Sequence, residues 1–210
     1  MTAIKICGIT RLEDGLLAAE LGASALGFVF WPASPRFIDP YRARPIVRRL
    51  PPLASAVGVF VDQPPEFVRG VAGLLRLGAV QLHGREDEDY CGQLRSRVIK
   101  AIPMTDGIDF EAGYGGYPDA TLLLDAHDPE RFGGTGRTVD WARASQLARH
   151  RRVILSGGLR PGNVTEAVRT VRPYGIDVSS GVEARPGIKD GAKLRAFFEA
   201  ARAAAGRDER

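Results

Sequence analysis

Residues 153–181 read VILSGGLRPGNVTEAVRTVRPYGIDVSSG, and this stretch decides the fold. Val153–Leu155 and Gly175–Val178 are short runs, apolar almost throughout, of the kind that forms strands buried on both faces. Between them Arg160–Val171 carries a helix pattern, with Pro161 just inside its start after the Gly157–Gly158 turn. The unit is therefore strand, helix, parallel strand. Outward from it the same unit recurs along the chain. Further strands are predicted at Ala3–Ile6, Ala25–Phe30, Ala56–Val61, Ala79–Leu82, Val98–Ile102 and Thr121–Leu124. Helices are predicted at Leu12–Leu21, Pro40–Leu50, Pro64–Leu75, Glu86–Arg95, Trp141–Arg149 and Asp190–Ala205, and Thr105–Gly116 reads as a degenerate or very short one. Eight such units imply an all-parallel α/β sheet with right-handed crossovers. A single eight-stranded parallel β/α (TIM) barrel accounts for that number best, in a compact version of a fold usually nearer 250 residues. An open doubly wound sheet is the alternative. Residues 1–205 form one barrel domain in this reading, and Gly206–Arg210 a frayed polar tail.

Composition narrows the functional classes. The 210 residues carry a net charge of +4, with 44% hydrophobic and 26% charged side chains, as an ordinary globular protein does. Arginines are scattered among acidic neighbours without a basic block interleaved with aromatics, which argues against a nucleic-acid partner. No apolar stretch approaches the roughly 20 residues that span a bilayer, which argues against a membrane partner. The start, MTAIKICG, runs into a strand without a secretory h-region. Two cysteines without a CxxC spacing suit a reducing compartment, so the expected location is cytoplasmic. Three scattered histidines make no zinc spacing, so no metal is expected. Of these, His150 lies in the charged stretch ARHRR, and the acids around His127 do not follow ligand spacing.

In a β/α barrel the chemistry collects at the carboxyl ends of the strands. That rule selects Cys7, Phe30–Arg36, Asp62–Gln63, His83, Asp125, Ser156–Gly158 and Ser179–Gly181. LSGGL and VSSGV, on the last two strands, offer glycine loops whose N–H groups suit a phosphate, with Ser180–Ala184 as a candidate short extra helix. Cys7 otherwise reads as a small buried hydrophobe, the role given to Cys91. Asp125 follows TLLL, where a buried acid needs a partner or a helix to cap. His83 reads equally as a satisfied structural histidine. Arg36, in WPASPRFI, has a planar fork suited to a carboxylate, or is an exposed loop cation. Period two puts Lys5 on the face of Cys7, where the two could interact.

Taken in order, KICGIT (5–10), GFVFWPASPRFI (27–38), VGVFVD (57–62), VQLHG (80–84), LLLDA (122–126) with GGTG (133–136) and DW (140–141), LSGGLRPGNV (155–164) and DVSSGVEARPGIKD (177–190) resemble the phosphoribosylanthranilate isomerases of tryptophan biosynthesis. The resemblance implies a cofactor-free barrel, monomer or homodimer, that carries out an Amadori rearrangement on a small-molecule phosphoribosyl anthranilate. It implies Cys7 as general base and Asp125 as general acid. Arg36 falls on the anthranilate carboxylate, His83 and Asp177 in the pocket, and Gly157, Gly158, Ser180 and Gly181 around the phosphate. The loop Gly133–Gly136 resembles a segment that covers the substrate. A sibling isomerase of histidine biosynthesis typically has an aspartate where this chain has Cys7. A dual-substrate enzyme would need a second phosphate clamp. A non-catalytic sugar-phosphate-binding barrel would keep the glycine loops without needing both proton-transfer groups.

Overall fold

Eight parallel strands close on themselves: β1 (Ala3–Cys7) pairs with β2 (Ala25–Val29) on one side and β8 (Gly175–Val178) on the other. The computed structural model describes residues 2–104, 117–126 and 139–205. The strands between are β3 (Ser55–Phe60), β4 (Ala79–Leu82), β5 (Val98–Pro103), β6 (Thr121–Asp125) and β7 (Val153–Leu155), each hydrogen-bonded to its successor. The expected Thr105–Gly116 segment, the His127 and Gly133–Gly136 loop and the Gly206–Arg210 tail lie outside the described residues.

Alternation along each strand separates an outer core, shared with the helices, from the barrel interior. One set of side chains, including Ile6, Leu26, Phe28, Phe60, Leu82, Leu122 and Leu124, joins the buried faces of the helices in the main apolar cluster. Each large side chain fully removed from water stabilises the fold by roughly 1.5–3 kcal/mol. A smaller set, Val57, Ala79, Ile99, Ala101, Leu123 and Ile154, packs as a separate cluster, and Cys7, Val29 and Val59 with Trp31 form a third. Small and branched side chains suit a barrel interior, where eight strands face one axis.

The helices begin where their caps dictate. Asp39 accepts from Tyr41 N at 2.9 Å ahead of helix Pro40–Val47, and Asp140 from Ala142 N at 2.9 Å ahead of Trp141–Ala148. Leu12–Glu20, Pro65–Leu75 and Gly191–Ala205 also lie close to their expected bounds. Three segments differ. The fourth helix is only Glu88–Gly92, because Glu86 is drawn inward to Lys100 and to the N–H groups of Asp62 and Gly84. The helix expected at Arg160–Val171 starts at Val164, since Pro161 lies in a turn closed by Arg160 N donating to Asn163 Oδ1 at 2.8 Å. Ser180–Ala184 is a single 3-10 turn, Ser180–Val182, followed by an antiparallel ribbon of β9 (Glu183–Arg185) and β10 (Ile188–Lys189). Pro186–Gly187, with Gly187 at φ +77°, makes the ribbon's turn; that dipeptide was its sequence signal.

Candidate active site at the barrel mouth

One cleft at the carboxyl ends of the strands is lined by Cys7, Arg36, His83, Asp125 and Asp177 together. Five sequence candidates from five different strands or loops thus share one space. Ser156 and Ser179 also line it, while Trp31, Val29, Val59 and Val61 supply apolar wall. Asp62 and Gln63, at the end of β3, serve the loops instead. Asp62 accepts from Arg85 N at 2.6 Å and Gln63 donates to the Phe30 carbonyl at 2.8 Å.

Cys7 ends β1 with 8% of its surface exposed. Its register partner is Gly27, where an added Cβ would stand 2.8 Å from Cys7 Sγ and 3.2 Å from Lys5 Nζ. Glycine there is what lets the thiol and the ammonium occupy the same corner. Lys5 Nζ is held by Asp177 Oδ1 at 2.9 Å, both groups buried. Burial pushes the Cys7 thiol above its ordinary range, and the positive charge of Lys5 opposes this without overcoming it. Lys5 itself is raised: burial works against its charge, but Asp177 and Cys7 outweigh it. Cys91 is free as well, half-buried and outside this cleft.

Asp125 ends β6. Its Oδ1 accepts from Ala126 N at 3.0 Å and its Oδ2 lies 3.2 Å from His83 Nε2. The carboxylate therefore faces the cleft and its histidine rather than capping a described helix. His83 Nδ1 lies 3.0 Å from Gln81 Nε2, a buried residue that the sequence reading passed over. A glutamine inside an otherwise apolar strand, two residues before a selected histidine, was the available signal.

Arg36 is not a loose loop cation. Its Nε and Nη2 grip Glu183 Oε1 and Oε2 at 2.9 and 2.8 Å. This bidentate pair ties the loop after β2 to β9 and leaves Nη1 as the edge of the fork that Glu183 does not hold. Glu183 also takes Lys189 Nζ at 2.9 Å, and Lys189 donates to the carbonyls of Cys7 and Ser179. Burial alone would raise the Glu183 carboxyl, but Arg36 and Lys189 hold it below the usual carboxylate range. Burial depresses the Lys189 ammonium despite Glu183. Both Glu183 and Lys189 were absent from the sequence selection.

The glycine loops meet beside the cleft. Gly157 and Gly158 have φ of +80° and +63°, and a Cβ on Gly157 would stand 2.6 Å from Ala126 N. A Cβ on Gly181 would strike the Leu159 carbonyl, so the loops after β7 and β8 touch backbone to backbone. Ser179 Oγ is buried with no partner among the described residues. No group of three or more His, Cys, Asp or Glu side chains among the described residues could hold a metal ion. No described helix is long and apolar enough to cross a membrane.

The family model described as N-(5'phosphoribosyl)anthranilate (PRA) isomerase matches residues 4–200. The N-(5'-phosphoribosyl)anthranilate isomerase of Desulforudis audaxviator is 52% identical over 205 residues, covering 97% of this chain and 100% of the relative. That of Geotalea uraniireducens is 50% identical over 202 residues, with 96% and 99% covered. Among solved structures, phosphoribosyl anthranilate isomerase from Thermotoga maritima superposes with a TM-score of 0.90 at 45% identity, covering 97% of this chain and 100% of that one. A phosphoribosyl anthranilate isomerase in complex with reduced 1-(o-carboxyphenylamino)-1-deoxyribulose 5-phosphate gives 0.87 at 43% identity, with the same coverage.

Proposed function

Because the chain belongs to the N-(5'-phosphoribosyl)anthranilate isomerase family, we propose that Cys7 and Asp125 are the base and the acid of its reaction, working in the cleft at the barrel mouth. The reaction is the isomerisation of N-(5'-phosphoribosyl)anthranilate to 1-(2-carboxyphenylamino)-1-deoxyribulose 5-phosphate, a step of tryptophan biosynthesis. Asp125 delivers a proton to the ribose ring oxygen as the C1–O bond breaks and the nitrogen lone pair forms the Schiff base. The Cys7 thiolate then takes the proton from C2, leaving an enolamine. That intermediate gains a proton at C1 and loses the one on O2 to give the ketone, so the whole is an isomerisation without redox partner or cofactor.

One observation carries this assignment. Cys7 and Asp125 end β1 and β6, three strands apart one way around the barrel and five the other, and both line the same cleft. A sugar seated between them has an acid and a base on different sides. Lys5, fixed by Asp177, supports the thiolate as it forms. Arg36 offers Nη1 to the anthranilate carboxylate while Glu183 holds the rest of its fork. His83 positions Asp125, and the N–H groups of Gly157, Gly158, Ser180 and Gly181 take the phosphate. A mechanism that needs a free thiol calls for a reducing compartment, which supports a cytoplasmic enzyme; its partner is the small-molecule substrate, with the chain acting as monomer or homodimer.

Asp125→Asn tests the reading. Asparagine still accepts from Ala126 N but cannot deliver a proton. Followed by loss of anthranilate fluorescence, kcat falls by about 10²-fold or more while KM and the thermal midpoint hold. Wild-type kcat, or a drop in midpoint large enough to explain the lost activity, overturns the assignment.

A further inference from the structure

β4 sends one polar side chain into the barrel. Gln81 is 1% exposed, and period two puts it on the same face as His83. Its Nε2 lies 3.0 Å from His83 Nδ1, and His83 Nε2 lies 3.2 Å from Asp125 Oδ2. With the amide NH2 assigned toward Nδ1, that nitrogen is the acceptor, which leaves the ring proton on Nε2, facing Asp125 Oδ2. Gln81 Oε1, meanwhile, is buried with no partner among the described residues. A buried oxygen without a hydrogen bond is destabilising, so a position used for packing alone would be better filled by an apolar side chain. What glutamine adds here is the N–H presented to the imidazole.

We infer that Gln81 is a positioning residue that holds His83 as the neutral Nε2–H tautomer, so that any proton beyond the one on Nε2 is carried by the Asp125 carboxyl and not by the imidazole. The inference rests on Asp125 being the acid. An imidazolium would put N–H against N–H at Nδ1, so the added proton goes to Asp125. When Asp125 passes that proton to the ring oxygen, the carboxylate left behind already has the Nε2–H of His83 as its donor. No proton on His83 has to move.

Among the described residues, the charged surroundings do not supply a competing partner for Nδ1. Cys7 on β1, Arg36 after β2 and Asp177 on β8 line the same cleft, with Lys5 bound to Asp177. β3 brings Val59 and Val61 to the wall, and the β5 register partner of Gln81 is Ile99. Asp62 and Glu86, beyond His83, accept from the backbone of Arg85 and Gly84.

Two substitutions separate this role from packing. Gln81→Glu keeps size and a hydrogen bond to Nδ1 but turns the donor into an acceptor. Gln81→Met keeps the stem and removes both. In wild type, nitrogen NMR finds the His83 ring proton on Nε2 and a lone pair on Nδ1. In Gln81→Glu both ring nitrogens are protonated, and kcat falls by about tenfold or more with KM nearly unchanged, part of the 10²–10⁴ that acid–base catalysis supplies. Gln81→Met shifts the pH profile of kcat and loses less activity. A packing role predicts the opposite order, with glutamate milder than methionine. A wild-type spectrum with the proton on Nδ1, that reversed order, or an unshifted pH profile in Gln81→Met each overturns the inference. Should Gln81→Glu fail to fold, the wild-type spectrum and the Gln81→Met profile still decide. Wild-type kcat in Asp125→Asn sinks the acid assignment; an inactive Asp125→Asn beside an unshifted Gln81→Met sinks the inference alone.

Discussion

Cys7, the proposed base, sits in surroundings that hold it as a thiol. Burial disfavours the thiolate, and the neighbouring Lys5 recovers only part of that cost. At neutral pH the reactive form is therefore scarce, so kcat/KM rises with pH and continues to rise beyond the ordinary thiol range of about 8.5. Lys5→Met removes the favourable charge, moving that limb further up and lowering activity at pH 7. Thiolate absorbance followed against pH, alongside kcat/KM, checks both statements. A limb at or below the range of an exposed cysteine, or one that Lys5→Met leaves in place, contradicts them. The side chain of Lys5 was readable from alternation in KIC, but its anchor was not. Asp177 lies 172 residues away, and only closure of β1 on β8 brings them together.

At the scale of elements, the strands were legible because parallel strands buried on both faces leave an apolar run too short for a helix. β4, β7 and β8 begin and end where the sequence places them. The helix starting near Glu86 was misread because its first residue is an inward-turned anchor that only the Lys100 ammonium explains. Ser180–Ala184, expected as a short extra helix, is a single 3-10 turn that runs into β9, because the Pro186–Gly187 turn folds the residues around it into a ribbon. The loop after β7 makes a sharper prediction. Gly157 has φ +80°, and any Cβ meets Ala126 N at 2.6 Å, so Gly157→Ala must shift the end of β7 away from the end of β6. Left-handed strain of about 1 kcal/mol adds to that displacement. The expected outcome is a lower thermal midpoint together with a raised KM, since the loop proposed to take the phosphate moves with the strand end. An unchanged KM in a folded Gly157→Ala removes this loop from the phosphate.

The whole molecule is clasped by Glu183, which joins the loop after β2 through Arg36 to the hairpin through Lys189. Its folded carboxyl lies below the ordinary value, so its contribution is fully present above the unfolded pKa of about 4.3 and is lost as pH falls through the lower folded value. Urea midpoints measured between neutral and acid pH are expected to fall across that window. Glu183→Gln should be less stable at neutral pH, because Lys189 keeps its buried charge with a weaker partner, and should lose less on acidification. Parallel curves for the two proteins would show that Glu183 does not contribute to the acid transition. The sequence marks Arg36 as a fork suited to a carboxylate but does not show that Glu183, 147 residues away, is the carboxylate it holds.

The closure of β1 onto β8 also has a consequence in time. A ribosome adding about 5–20 residues per second takes roughly 10–30 s to go from Lys5 to Asp177. For all of that interval the nascent chain carries Cys7 and Lys5 on a strand with one edge unpaired. Arg36 waits nearly as long for Glu183. The corner around Cys7 is thus completed by the last quarter of the chain, and a polypeptide interrupted before Asp177 holds Lys5 without its buried anchor.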